Sequence, residues 1–506
     1  MIGDQAMAGS LDSGRSPAAW RRGPALAVVL LAAGVAAALR VPFLGVPLDP
    51  DEGGYAHLAL RWAAGEQLYS DLWVDRPQGL LLAYRGVVAV APTPTGLRLA
   101  AALAAALLVI GTAAAAWALA GPRAGVVAGV VLAAVGVAPR MRGFTLQGEL
   151  LAGVATTAAV ALALWWDRGG AARRPGVLAA SGALAVLGPL VKQSALEGLA
   201  VVALVVVASG PGRLRAAGTA ALGAAVPLGL AVAHALATGW SDWWFAVVGY
   251  RVSTPAGAGG GLVTRMALFA DSVGRVWLDL LALALLAAVG AAVAVRRQPR
   301  ALAPVVWLAA AAIGFAGGAF YHGHYWLQLL PPLAVLGSLA VARVPRAGWA
   351  AAVVVLVALA GWVRLATMTS TARVEALVGD DPRLMTNAAV AAWLRASTPP
   401  DATLLTYPSS ADLYFLADRR ATARYLWLAP LSAVPGAVED QARQLEGADR
   451  PDVVVLDADP SAVDPSGRTA AALADHYRTA AVVEGRRVLV SLQPRTPDVL
   501  GATRSS

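Results

Sequence analysis

The feature that most limits this chain is a succession of long apolar runs joined by short, arginine-bearing connectors. Such runs occupy residues 24–40, 97–119, 123–138, 148–166, 176–191 and 194–209, then 216–238, 275–295, 301–318, 326–343 and 348–365. A helix crossing a hydrocarbon core needs ~20 apolar residues, and in lipid only helices or closed barrels satisfy their own backbone hydrogen bonds. The runs therefore predict a mainly α, polytopic membrane protein of about eleven transmembrane helices. Several are short, so 176–209 reads as a bent or broken helix pair turning near Lys192. Composition agrees: 58% of residues are hydrophobic, only 14% are charged and the mean hydropathy is +0.63, where a globular domain is roughly a quarter charged. The first run follows Arg15, Arg21 and Arg22, lacks a small-residue cleavage site and reads as a retained helix.

The net charge of +9 comes almost wholly from arginines scattered through short loops, which is a topology signal and excludes a nucleic-acid-binding face. An N-terminus in the cytoplasm puts Arg168, Arg173, Arg174, Arg213, Arg215, Arg296, Arg297, Arg300, Arg343 and Arg346 there too. The opposite loops are richer in acids, aromatics and histidine, and everything after residue 365 then lies outside. Residues 1–369 thus read as the transmembrane domain and 370–506 as a small extracytoplasmic α/β domain, with a helical run Asn387–Arg395 and strands Thr403–Tyr407, Val453–Leu456 and Arg487–Leu492. Two further outward segments, 41–96 and 239–274, are too long or too polar to be simple connectors; the first holds an apolar stretch, Gly79–Ala91, read as lying at the interface. The absence of cysteine excludes thiolate metal sites and cysteine nucleophiles, and no phosphate-binding Gly-x-x-x-x-Gly-Lys loop supports an ATP-driven pump. Asp457-Ala-Asp459 follows an apolar strand and imitates a nucleotide-sugar motif, but reads as turn punctuation.

Just after the first run comes Asp49-Pro50-Asp51-Glu52-Gly53-Gly54-Tyr55, whose glycines and proline are expected to let the backbone turn the carboxylates toward a cavity. Downstream stand Gly65, Tyr69, Asp71 and Trp73, then Arg76-Pro77-Gln78-Gly79 before the apolar stretch. This order of residues resembles the first outer loop of GT-C fold glycosyltransferases, in particular bacterial relatives of protein O-mannosyltransferases and of the lipid A aminoarabinose transferase. Gln78 stands where a second proline is commoner in that family. Looser matches are Glu149, Lys192 and the stretch Tyr321-His322-Gly323-His324-Tyr325-Trp326-Leu327-Gln328. The resemblance implies a plasma-membrane glycosyltransferase that moves a mannose-like hexose or arabinose-like pentose from a polyprenyl-phosphate donor to an extracytoplasmic glycan, lipid or protein acceptor.

Physical chemistry leads the same way. Outside the cytoplasmic membrane a transferase needs a donor that arrives activated. The leaving phosphate of a polyprenyl-phosphate sugar needs cations, and the acceptor hydroxyl needs a base. Asp51 is the expected base in an inverting displacement, with Glu52 and Glu149 orienting it or the acceptor. Arg76 and Lys192 are expected at the phosphate with His324 and Tyr325 beside them, and Tyr55, His57, Tyr69, His322 and Gln328 at the substrate. Lys192 is the sole lysine of the chain and sits in an apolar run, where a charge is costly. No cofactor is required by this chemistry, although Asp49, Asp51, Glu52 and His57 could ligate a divalent metal. Two other readings stay open: a flippase of lipid-linked glycans using the same charges as a binding path, and an inactive relative.

Overall fold

The computed structural model describes residues 22–169, 174–253, 261–295, 299–318 and 320–493. Of the arginines used above, Arg15, Arg21, Arg173, Arg296 and Arg297 lie outside the described residues. Each expected apolar run is helical. Helix α1 (Arg22–Ala38) is followed by α2 (Pro50–Ala63) and α3 (Gln78–Val90), and the bundle continues with α4 (Pro94–Ala120), α5 (Pro122–Val135) and α6 (Gly148–Arg168). Next come α7 (Pro175–Val191), α8 (Glu197–Val207), α9 (Arg213–Thr238), the short α10 (Trp240–Trp244) and α11 (Tyr250–Ser253), and α12 (Leu262–Val295). Helices α13 (Ala303–Gly318), α14 (Leu330–Arg343) and α15 (Ala347–Ala366) complete it. Among the described residues seven helices are long and apolar enough to cross a membrane; α5, α7, α8 and α13 are apolar but shorter. The chain breaks between α7 and α8 at Lys192, whose backbone is extended. Small residues let these helices touch: a Cβ on Gly182 would collide with the Ala220 carbonyl and one on Gly223 with that of Ala179, which is how helices pack without a hydrophobic drive from water.

The tail adds α16 (Ser370–Val378) and α17 (Pro382–Ser397), then β1 (Thr403–Tyr407), α18 (Ala411–Ala417), β2 (Arg420–Ala421), α19 (Leu428–Ala433) and α20 (Ala437–Glu446). It closes with β3 (Val453–Leu456), α21 (Arg468–His476), β4 (Tyr477–Val483) and β5 (Arg486–Ser491). The sheet order is β2-β1-β3-β5-β4. Strand β1 pairs in parallel with β2 and β3, whereas β5 runs antiparallel to β3 and β4. Asp457 accepts from Ser410 (2.8 Å) and pairs with Arg486 (2.8 Å), and Asp459 accepts from the Ser461 backbone (2.9 Å), so the Asp-Ala-Asp run is spent on local structure.

Gly53 and Gly54 correct the expectation drawn from sequence. They do not loosen a turn; they lie inside α2 and let α18 press onto it. A Cβ on Gly53 would run into the Asp412 backbone, and one on Gly54 would meet Trp427 at 2.6 Å. Gly53→Ala is therefore expected to weaken the docking of the tail on α2 by roughly 1–3 kcal/mol, the scale of overpacking. Faster proteolytic release of the part after residue 370 checks this, and release at the native rate would contradict it.

Candidate active site

Helix α2 starts with Pro50 at its first position and Asp49 as its cap. The Asp49 carboxylate accepts from the Asp51 N–H (3.1 Å) and the Glu52 carboxylate from the Asp49 N–H (3.1 Å), a reciprocal pair that satisfies two otherwise orphaned donors. Glu52 is fully buried, forms an ion pair with Arg98 (2.8 Å) and accepts from the Leu146 N–H (2.7 Å). Arg98 also donates to the Pro47 carbonyl (2.7 Å) and lies over the Phe144 ring. Asp49 pairs with Arg142, which adopts a left-handed backbone (φ 49°). The first turn of α2 is thus bolted to α4 and to the loop before α6.

This anchoring leaves Asp51 as the carboxylate without a partner. It is half-buried, its side chain makes no hydrogen bond or ion pair among the described residues, and it faces a cavity of about 1070 Å³. Asp49, Arg140, Arg142, His322 and His324 share that wall. Burial pushes the Asp51 carboxyl up to about 7, the neighbouring Asp49 charge adding to the rise and Arg76 opposing it. Burial also works against ionisation of Asp49, but Arg142 and His324 hold it below the ordinary carboxylate range.

Beside the cavity lies a layer of paired charges. Asp75 pairs with Arg76 (2.7 Å) and with Arg251 of α11, and its backbone carbonyl accepts from Gln193 (2.8 Å). Glu149, at the start of α6, pairs with Lys192 and lies 3.7 Å from His324 Nε2. The Lys192 ammonium sits 3.9 Å from the centre of the Tyr325 ring. The cation pair Arg76 and Arg251 would suit an anionic ligand, since one shared aspartate leaves the cluster with excess positive charge.

The structure brings Asp51, Arg76, Glu149, Lys192, His322, His324 and Tyr325 to this region, and it moves other expected residues elsewhere. His57 is buried against the tail, where Nε2 takes the Ala421 N–H (3.4 Å) and burial lowers the imidazole to about 3. Tyr69 is fully buried with a positive φ of 77° and donates to the Arg76 carbonyl (3.2 Å), so it fixes the loop under Arg76. Gln328 is committed to Glu197 (2.9 Å) and the Ser194 carbonyl (3.0 Å). Tyr55, by contrast, stays with the charged cluster: its ring meets Tyr84 edge-on and Trp427 at a tilt, and its hydroxyl lies within the fields of Arg76, Asp51, Asp75 and Arg251. Gln78, where the resemblance led us to look for proline, donates to the Ala231 carbonyl (2.7 Å) and accepts from Trp243 (3.0 Å). For a metal the fit is poor: Asp49 and Glu52 are engaged by arginine, and no group of three or more His, Cys, Asp or Glu among the described residues is placed to hold one.

Arg98, Arg142 and Arg251 were not picked out from the sequence. Arg251 carried a usable signal, as a cation in an outer segment crowded with tryptophan at Trp240, Trp243 and Trp244. Arg98 lies inside the apolar run 97–119.

No protein-family model matches the chain, and no curated protein matches it. Among solved structures, ArnT from Cupriavidus metallidurans bound to undecaprenyl phosphate superposes with a TM-score of 0.66 at 17% identity, over 95% of this chain and 98% of that one. ArnT from the same organism in the apo state gives 0.60 at 17% identity, over 93% and 98%. At that identity the likeness shows the fold, which is the GT-C architecture of a multi-pass membrane protein carrying a small C-terminal sheet.

Proposed function

We propose that this chain is a membrane glycosyltransferase that moves a sugar from a polyprenyl-phosphate donor to an extracytoplasmic acceptor, with the cavity and the C-terminal domain on the outer face of the membrane. One observation carries the reading: a carboxylate without a side-chain partner among the described residues, Asp51, opens into a large cavity and lies within the field of Arg76, which shares Asp75 with Arg251. Similarity to ArnT, crystallised with undecaprenyl phosphate, supports the lipid class of the donor. In the step we envisage, Asp51 takes the proton of an acceptor hydroxyl, whose oxygen attacks the anomeric carbon as the bond to phosphate breaks. Arg76 and Arg251 receive the departing phosphate, with Lys192 and Tyr325 nearby, and Glu52 keeps Asp51 in position through the cap of α2. The arginine-rich connectors opposite this face support the orientation. The sugar is hexose-like or pentose-like.

Sugar transfer by purified protein in lipid, from radiolabelled polyprenyl-phosphate sugars to a cell-envelope extract, tests the reading. Translocation of the donor without transfer would overturn it in favour of a flippase. The pH dependence follows from Asp51. A base must be proton-free, and with its carboxyl raised to about 7 Asp51 loses its proton through neutrality. Transfer is therefore expected to fall about tenfold per pH unit below that value and to level off above it. A rate flat from pH 5 to 8 would remove Asp51 from the role.

A further inference from the structure

We infer that the wall of the cavity built by α12 and α15 is an acceptor subsite for an uncharged, hydroxyl-rich glycan, read by Asp279 and Arg364; the inference rests on the transferase reading above. The cavity, at about 1070 Å³, exceeds the ~300–1,000 Å³ of an ordinary small-ligand pocket. It has room for more than the donor sugar at Asp51. Its charged lining is nearly balanced, five arginines against six carboxylates, so neither a polyanion nor a polycation is favoured throughout. A hydroxyl donates once and accepts twice, so it suits carboxylates and guanidinium groups alike.

Two of these groups are only weakly engaged by the rest of the described fold. Asp279 lies within the long apolar helix α12, where a carboxylate is costly, and it is only 9% exposed. Its Oδ2 makes no hydrogen bond, and its ionic neighbour among the described residues, Arg140, stays 3.7 Å away. On the adjacent helix α15, a Cβ at Gly361 would stand 3.9 Å from Asp279 Oδ1, so a glycine leaves the space beside that oxygen open. Arg364, one turn further along α15, lines the same cavity and has no side-chain hydrogen bond or ion pair among the described residues. A carboxylate held only by a long ion pair and an exposed guanidinium with no side-chain partner among the described residues, on neighbouring helices at one cavity, form a donor–acceptor pair of the kind that grips vicinal hydroxyls.

The test uses the full chain in lipid nanodiscs and three fluorescent probes: a neutral oligosaccharide, one of equal length bearing uronic acids, and a Ser/Thr-rich peptide. The neutral probe is expected to bind tightest. Asp279→Asn and Arg364→Gln should each weaken it about tenfold, the scale of one charge-assisted hydrogen bond, and raise the acceptor KM with kcat little changed. Binding of undecaprenyl phosphate should stay at the native level in both variants, which also shows that they fold. Tighter binding of the uronate or the peptide, no binding of the neutral probe up to millimolar concentration, or indifference to both substitutions would overturn the subsite. Weakened undecaprenyl phosphate binding by Arg364→Gln would overturn it too and make this wall a donor contact. Asp51→Asn should bind the neutral probe like the native chain; transfer persisting in that variant would sink the base assignment and leave the subsite standing.

Discussion

Asp51→Asn is expected to lower sugar transfer by roughly 10²- to 10⁴-fold, the range for loss of a general base, while the affinity for polyprenyl phosphate stays within a factor of about two. The substitution keeps shape and removes the capacity to hold a proton. It should not disturb the fold, because the Asp51 side chain holds nothing in place: the cap of α2 is made by Asp49 and Glu52. The Asp75, Arg76 and Arg251 cluster is likewise untouched. Donor binding by isothermal titration and transfer by radiolabel, measured on the same preparation, separate the two effects. Equal transfer by native and variant protein would refute the assignment; loss of both binding and transfer would give Asp51 a place in donor recognition.

The second large effect lies behind the site. Arg98→Ala removes the partner of Glu52, which has no exposed surface. Breaking a buried ion pair from one side costs about 3–5 kcal/mol because the remaining charge stays buried alone. The two backbone bonds into Glu52, from Asp49 and Leu146, cannot replace a cation. We expect the variant to be recovered poorly from detergent and to melt at least several degrees earlier in a scanning fluorescence assay. A double variant, Arg98→Met with Glu52→Gln, should recover much of the stability, since it removes both charges together. A single variant as stable as the native chain would show that the pair is dispensable.

How far the sequence speaks depends on how local the cause is. The bilayer acts on each helix separately, so the apolar runs were readable one by one, and even the break at Lys192 showed through the shortness of its flanking runs. Strands β1 and β3 matched the expectation residue for residue because Thr403–Tyr407 and Val453–Leu456 are uninterrupted buried runs. Strand β4, reading Tyr-Arg-Thr-Ala-Ala-Val-Val with Tyr477 alone buried and no in–out alternation, carries too weak a pattern, and β2 has only two residues. In the site the acids were visible as a cluster, but their partners were not. Arg98 and Arg142 reach Glu52 and Asp49 across 46 and 93 residues, and Arg251 reaches Asp75 across 176. His57 failed for the same reason: its neighbour Ala421 lies 364 residues on, so nothing nearby in the chain says that it faces the tail.

The contact of α2 with α18 bears on how such proteins can be recombined. Bare glycine backbone at positions 53 and 54 is fitted to Asp412 and Trp427 of the tail, and the same helix carries Asp51 in its first turn. A chimera that joins this membrane bundle to the tail of a distant relative would keep Asp51 and its helix but replace the part of the cavity wall that Glu375, Asp380, Asp381 and Arg383 supply, and would seat the helix bearing Asp51 against a foreign surface. The tail is therefore not an interchangeable appendage. The productive crossover points are those that carry residues 49–63 and the tail across together.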